Sequence, residues 1–322
     1  MQNELQEVAC DFCGYEEHRS IYKLKNSSIV ECTNCNFKYL NPRISSQRIK
    51  EILQEWAKND VLDDERLRIA YDTRTQALYR SYIRRAENEK STQSKKMLDV
   101  GCASGAFLYV AKSLGWDVTG LEIGEASSEY ARNKGINVIN ASIFDDSINI
   151  EAATYDVVVF LEVIEHLEHP KRALEMIYSW LKPGGVLILS TPNFNSLFRR
   201  IHKTKWWVIN CEEEHIMFFT PESLSAYIKA VGFKVTHRII RGIDLPGIFR
   251  NFKSKSTEIT LDNDYYSSRS SKEKFKSILS RAGLLWLVRK ILNVFDTLSS
   301  MKYSPFYAMG EQLVFFAKKQ QK

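Results

Sequence analysis

The sequence predicts an α/β fold on a doubly wound parallel sheet, preceded by a small cysteine-rich module. Three patterns carry that prediction. From Met97 onward, short apolar runs alternate with amphipathic stretches at the spacing of successive βα units. The first unit, Lys96-Met97-Leu98-Asp99-Val100-Gly101-Cys102-Ala103-Ser104-Gly105-Ala106-Phe107, reads as a strand with an acidic tip, a small-residue turn and a helix start. Ahead of it stand two cysteine pairs, Cys10-x-x-Cys13 and Cys32-x-x-Cys35, eighteen residues apart.

Residues 1–44 form the cysteine module. Four thiolates in two such pairs suit the tetrahedral demand of a structural zinc, whereas a redox C-x-x-C needs no second pair. The segment is too short to bury a core of its own, so the metal would hold it together. Residues 45–90 read as a helical linker or lid. Ser45-Ser46 offers an N-cap for a helix with Ile49, Ile52, Leu53 and Trp56 on one face. Glu65 to Lys90 reads as one long charged helix, with Leu67, Ala70, Tyr71, Leu78 and Tyr82 on a stripe. Both precede the sheet and would lie over its ligand cleft, Tyr71 and Arg74 within reach; ordinary packing accounts for the same residues.

Residues 91–322 carry the sheet. Strands are expected at 97–100, 117–121, 137–139, 156–161, 186–189, 234–239 and 311–318, with helices at 106–114, 126–133, 171–180 and 221–231. Lys182-Pro183-Gly184-Gly185 is a turn into a buried strand. The pattern breaks after Arg241, so residues 242–310 read as an insertion before the last strand. Within it, 284–298 is an apolar helix with basic flanks.

At 322 residues and 44% hydrophobic, the chain can bury one substantial core plus an appendage. No apolar stretch is long enough to cross a bilayer, and Met1-Gln2-Asn3-Glu4 does not open a signal peptide. Four of the six cysteines fall in C-x-x-C pairs rather than a secreted disulfide framework. The expected location is cytoplasmic. Helix 284–298 would add peripheral contact with the inner membrane face or a homodimer surface. The net charge of +6 is concentrated from Arg241 to Lys322, where 15 basic residues meet 7 acidic ones; an anionic partner or a solvated basic face explains it equally.

The chemistry begins at the turn. Gly101, Ala103 and Gly105 let a ligand approach the backbone, and the following helix presents free N–H groups. Val118-Thr119-Gly120-Leu121-Glu122 ends a second strand in a carboxylate suited to ribose hydroxyls. A G-x-G-x-x-G dinucleotide fingerprint is absent, and Asp99 would repel a pyrophosphate. A nucleoside carrying an ammonium and a sulfonium tolerates that carboxylate better. Ile143, in the segment after the third strand, and Leu161, ending the fourth, complete the candidate cofactor residues, with Asp145 a weaker one. In Glu162-Val163-Ile164-Glu165-His166, a helical start would put Glu162, Glu165 and His166 on one face at the sheet's carboxyl end. His215, past the fifth strand, can face the same pocket. These four suit a divalent ion that activates a hydroxyl. Equally, Glu165 caps a helix, and His166 or His215 is a lone general base or a structural histidine. Between Thr191 and His215 lies an arm of bases and aromatics, Phe198, Arg199, Arg200, His202, Lys203, Lys205, Trp206 and Trp207. It is suited to an anionic sugar or to packing as a lid.

Asp99-x-Gly101-x-Ala103-x-Gly105 resembles motif I of the class I S-adenosylmethionine-dependent methyltransferases, with alanine at the middle glycine. That resemblance implies a Rossmann-like seven-stranded sheet whose last strand enters antiparallel. It also implies S-adenosylmethionine as cofactor, held by Asp99, Gly101, Ala103, Gly105, Glu122, Ile143 and Leu161. Glu162-x-x-Glu165-His166 with His215 resembles the pattern of ubiquinone-pathway O-methyltransferases and of small-RNA 3′-terminal 2′-O-methyltransferases, which implies magnesium or manganese. From Cys10 to Phe233 the chain resembles a bacterial subgroup joining a double C-x-x-C zinc ribbon, Asn41-Pro42-Arg43 and a methyltransferase domain. Its members look like tailoring enzymes of surface polysaccharide or glycolipid. The implied reaction is O-methylation of a sugar, glycolipid or polysaccharide-precursor hydroxyl; sugar C-methylation is the alternative. A nucleic-acid-binding ribbon is the rival from another class. The ribbon's few lysines and arginines argue against it, and no nucleic-acid partner is expected.

Overall fold

The computed structural model describes residues 5–59, 64–209, 215–242 and 309–321, with positions 294 and 297. Helix 284–298, apart from those two positions, and nearly all of the insertion lie outside the described residues. In chain order the elements are β1 (Leu5–Gln6), β2 (His18–Lys23), β3 (Ser28–Cys32), β4 (Lys38–Asn41), β5 (Arg43–Ile44), α1 (Ser46–Asn59), α2 (Asp64–Ala70) and α3 (Thr73–Glu89). They continue with β6 (Lys96–Val100), α4 (Ala106–Ser113), β7 (Asp117–Glu122), α5 (Glu125–Asn133), β8 (Asn137–Asn140), β9 (Tyr155–Leu161), α6 (Pro170–Trp180) and β10 (Leu181–Pro192). The last are α7 (Leu197–His202), β11 (Met217–Phe218), α8 (Pro221–Ala230), β12 (Phe233–Arg241) and β13 (Gln312–Lys319).

The seven-stranded sheet runs β12-β13-β10-β9-β6-β7-β8. Strands β10, β9, β6, β7 and β8 are parallel, and β13 enters antiparallel between β10 and β12. β6 pairs with both β7 and β9, so the winding reverses there and opens a crevice at the strands' carboxyl ends. β9 explains why its sequence does not alternate: Val157, Val158, Val159 and Phe160 are wholly buried, covered on both faces. The backbone N–H of Glu311 donates to the Gly242 carbonyl at 3.1 Å, so β12 and β13 meet where the insertion leaves and returns.

Two local expectations change. The single helix over 65–90 divides into α2 and α3, because the Asp72 carboxylate accepts from the Thr75 N–H at 2.6 Å and caps a new start. The strand expected at 186–189 extends over Leu181–Pro192, with Lys182-Pro183-Gly184-Gly185 taken up as a bulge between Leu181 and Val186.

The cysteine module is β2, β3 and β4 in antiparallel order, and its fourth strand comes from far along the chain, beyond β10. β11 pairs with β4, setting Met217 opposite Tyr39 and Phe218 opposite Lys38. Phe37 packs on Phe219 and Tyr227, ring centroids 5.3 and 4.9 Å apart, and Phe12 lies 4.6 Å from Tyr227. The module does not stand on a core of its own; its apolar face belongs to the core under the main sheet. Among the described residues no helix is long and apolar enough to cross a membrane.

Candidate functional site

The crevice begins at the turn after β6. Gly101 and Gly105 both hold φ near +76°, and a Cβ on Gly101 would lie 2.4 Å from Cγ2 of Val163. Ala103, between them, holds φ +45° without being glycine, a conformation that costs about 1–2 kcal/mol. The turn is held to β7: the N–H groups of Gly101 and Cys102 donate to the Leu121 carbonyl, and Glu122 Oε2 accepts from the Ala103 N–H at 2.7 Å. Glu122 Oε1 accepts from the Gly124 N–H at 2.8 Å, so backbone donors fix the carboxylate at the crevice edge. Asp99 is buried at the tip of β6. Burial, then the nearby Glu122 charge, pushes its carboxyl up to about 8. An incoming ammonium would draw that proton off. From the junction of α2 and α3, Tyr71 donates its hydroxyl to the Ser104 carbonyl at 2.6 Å.

Ile143 is buried, Leu161 half-buried. Asp145 accepts instead from the Ser147 N–H, at 2.8 Å. Sequence reasoning missed Asn140, whose side-chain amide donates to the carbonyls of Glu122 and Ile123, each at 2.9 Å, and ties the loop after β8 to the end of β7.

One strand over, a tight turn over Ile164–His166 ends β9. Glu165 is buried, and its Oε2 accepts from the Thr191 hydroxyl at 3.0 Å. Its Oε1 lies 3.9 Å from His166 Nε2. The His166 and His215 rings are 4.7 Å apart and tilted by 31°. His215 is buried, and its Nδ1–H donates to the Val208 carbonyl at 2.9 Å, which leaves Nε2 as the nitrogen with the lone pair. Burial, then His166, lowers His215 to about 3, so it is neutral at pH 7. Burial and then the Glu162 charge raise Glu165 well above the usual carboxylate range.

Glu165, His166 and His215 thus bring ligand atoms within 4.8 Å of one another, and Glu162 is not in that set. This corrects the expectation of one shared face. Glu162 precedes the turn with φ +53°, which swings its carboxylate to the Ser190 hydroxyl at 2.5 Å and the Gln312 amide at 2.9 Å. The residue is open to solvent. The surrounding protein raises its carboxyl, and the Ser190 and Gln312 bonds oppose the rise. The set fits a divalent ion: two imidazoles and a carboxylate that needs a positive neighbour to ionise. Two nitrogens favour manganese or zinc over magnesium, which prefers oxygen.

In the module, Cys10, Cys13, Cys32 and Cys35 converge with sulfurs within 4.8 Å of one another. Cys10–Cys35 and Cys13–Cys32 are 3.5 and 3.6 Å apart, close to the edge of about 3.8 Å that Zn–S bonds of about 2.3 Å require. Burial raises Cys13, but the Tyr15 N–H and the Asn34 side chain lower it to about 7, whereas burial pushes Cys10 and Cys35 up. The donor set fits a structural zinc.

The basic arm divides. Trp206 is buried, its Nε1–H donating to Glu311 Oε2 at 3.1 Å, and Arg199 donates to the Phe194 carbonyl and to Tyr22 of the module. Trp207 is 42% exposed and stands edge-on to His215, 5.9 Å between centroids.

Among curated proteins, the chain is 32% identical over 133 residues to the ubiquinone biosynthesis O-methyltransferase of Proteus mirabilis (strain HI4320). That match covers 40% of this chain and 51% of the relative. It is 29% identical over 180 residues to the protein of the same name from Pseudomonas savastanoi pv. phaseolicola, covering 52% of this chain and 74% of that one. The chain thus spans about half the length of the first of these relatives. A SAM-dependent methyltransferase structure from Archaeoglobus fulgidus aligns at 19% identity and a TM-score of 0.48, over 76% of this chain and 94% of that one. The family model described as "Methyltransferase domain" matches residues 71–238, which run from Tyr71 into β12. With that match on a seven-stranded sheet whose last strand is antiparallel, the chain belongs to the methyltransferase domain family, in its class I, S-adenosylmethionine-dependent form.

Proposed function

We propose that this protein transfers the methyl group of S-adenosylmethionine to a hydroxyl of a sugar, glycolipid or polysaccharide precursor. The observation that carries the reading is the convergence of Glu165, His166 and a neutral His215 at the end of β9, one strand from the Asp99–Gly105 turn. The hydroxyl oxygen bonds to the methyl carbon, the carbon–sulfur bond breaks, and its electron pair stays on sulfur as S-adenosylhomocysteine. The hydroxyl proton has a taker in Nε2 of His215, whose tautomer is held by the Val208 carbonyl. A divalent ion held by Glu165, His166 and His215 would instead occupy that Nε2 lone pair and lower the hydroxyl's own pKa, the proton then passing to solvent. The relatives named as O-methyltransferases support oxygen over carbon as acceptor atom. Trp207, exposed beside His215, supports a ring-shaped acceptor whose face stacks on an indole.

The test is transfer of isotope-labelled methyl from S-adenosylmethionine into extracts of the native cell, with the labelled product identified. A labelled methyl ether on a glycan or glycolipid is the expected product. Label on carbon, on nitrogen or on nucleic acid would overturn the reading. Loss of transfer on chelation, restored by manganese, would assign the ion its role; indifference to chelator would leave the proton to His215 alone.

A further inference from the structure

The acceptor half of the crevice rests on the four-cysteine ribbon, and the cofactor half does not. Ile216 shows the connection in one residue: its N–H donates to the Glu165 carbonyl at 3.0 Å, while its own carbonyl accepts from the Leu40 N–H of β4 at 3.0 Å. His215 precedes it and Met217–Phe218 follow as the fourth strand of the ribbon sheet. The segment after His166 is gripped as well. Glu168 Oε1 accepts from the Ser46 hydroxyl at 2.7 Å and lies 3.5 Å from the buried guanidinium of Arg43. His169 Nδ1 donates to Asp11 Oδ1 at 3.2 Å, and Asp11 sits between Cys10 and Cys13, inside the first metal knuckle. The two segments carrying the acceptor residues, 163–169 and 215–219, are thereby set against each other by a third body. The Asp99–Gly105 turn instead takes its bonds from β7 and from Tyr71.

We infer that the ribbon is a positioning element of the acceptor site. Asp11, Arg43 and the Leu40 backbone within it, with Ser46 at the start of α1 directly after it, set the distance between His166 and His215. Such a role gives a purpose to the contacts that join the cysteine module to the domain through β11, Glu168 and His169. It rests on Glu165, His166 and His215 being the acceptor site, but its test does not need the acceptor. A displacement of about 1 Å between groups that act together costs about a hundredfold in rate, so loosening this clamp moves turnover and leaves cofactor affinity alone.

The chain's six histidines make imidazole NMR on histidine-labelled full-length protein practicable. Arg43→Met keeps the apolar stem and removes the charge facing Glu168; Arg43→Lys restores it. Arg19→Met, which breaks the ribbon's internal Arg19–Glu31 pair, is the control. Expected results are shifted His166 and His215 signals in Arg43→Met, partial return in Arg43→Lys and none in Arg19→Met. S-adenosylmethionine affinity should stay within about twofold throughout, as those residues bear only on the acceptor half. Ser46→Ala, which deletes one hydrogen bond, serves if Arg43→Met does not fold, and should shift the same two signals. Wild-type histidine signals in a folded Arg43→Met or Ser46→Ala variant, or equal shifts in Arg19→Met, would overturn the inference. Failure of the methyl-transfer experiment with these shifts present would instead count against the proposed reaction alone.

Discussion

Alanine at Gly101 puts a methyl group where the structure has no room for one. The residue holds φ +76°, and the added Cβ would meet Val163 Cγ2 at 2.4 Å, well inside van der Waals contact. The left-handed conformation alone costs about 1–2 kcal/mol for an L residue. Overpacking against the half-buried Val163 adds about 1–3 kcal/mol. The total of about 2–5 kcal/mol should lower Tm by at least about 4 °C, read by thermal denaturation followed by circular dichroism. Val163 stands between Glu162 and Glu165, so the clash also presses the cofactor turn against the acceptor segment. Adding Val163→Ala removes the overlapping methyl and should recover the steric part only, leaving the double variant about 1–2 kcal/mol less stable than its Val163→Ala parent. A Gly101→Ala protein that melts within 1 °C of wild type, on the scale of about 2–4 °C per kcal/mol, would refute the tight apposition of these two segments.

Glu122→Gln removes the charge that backbone N–H groups and ribose hydroxyls would share. At about 1.5–3 kcal/mol for a charged hydrogen bond, S-adenosylmethionine should bind about 10- to 100-fold more weakly by calorimetry. Asp99, raised to about 8 from a usual 3.8, holds a proton in the folded chain that the unfolded chain has lost. Stability from this group therefore falls as pH rises from about 4 through 8, and Asp99→Asn should flatten that slope in denaturant titrations at stepped pH. The same proton should be released on cofactor binding at pH 7, visible as a buffer-dependent binding enthalpy. Metal analysis should find one zinc per chain in the wild type, and Cys13→Ser should lose it along with cooperative melting of the ribbon.

Much of this molecule is legible in its sequence where the signal is local and periodic. The alternation of β6 to β10 with their helices follows from apolar runs, and the antiparallel last strand from the family resemblance that the Asp99–Gly105 motif carries. What escapes is set by distant partners. β11 is two residues long and has no period of its own; it is a strand only because β4, some 180 residues earlier, offers an edge, and helix-to-strand patterning cannot see that. The α2–α3 break was written in Asp72, a capping residue masked by the charged stretch around it. The expected common face of Glu162, Glu165 and His166 assumed helical spacing from Glu162 onward. The positive φ of Glu162 breaks that assumption, and no residue type there signals it. Thr191 and Ser190, which hold the two carboxylates, lie on a neighbouring strand and become visible only with the sheet register.

In the proposed reaction the crevice divides into a cofactor half at Asp99, Gly101 and Glu122 and an acceptor half at Glu165, His166 and His215. Parallel measurement of S-adenosylmethionine binding and of labelled methyl transfer in the His215→Ala protein tests that division most directly. Cofactor affinity should stay within about twofold of wild type, since His215 belongs to the acceptor half, and turnover should fall by about 100-fold or more, the scale of a lost acid–base group. Full turnover in the His215→Ala protein, or loss of cofactor binding together with turnover, would contradict it.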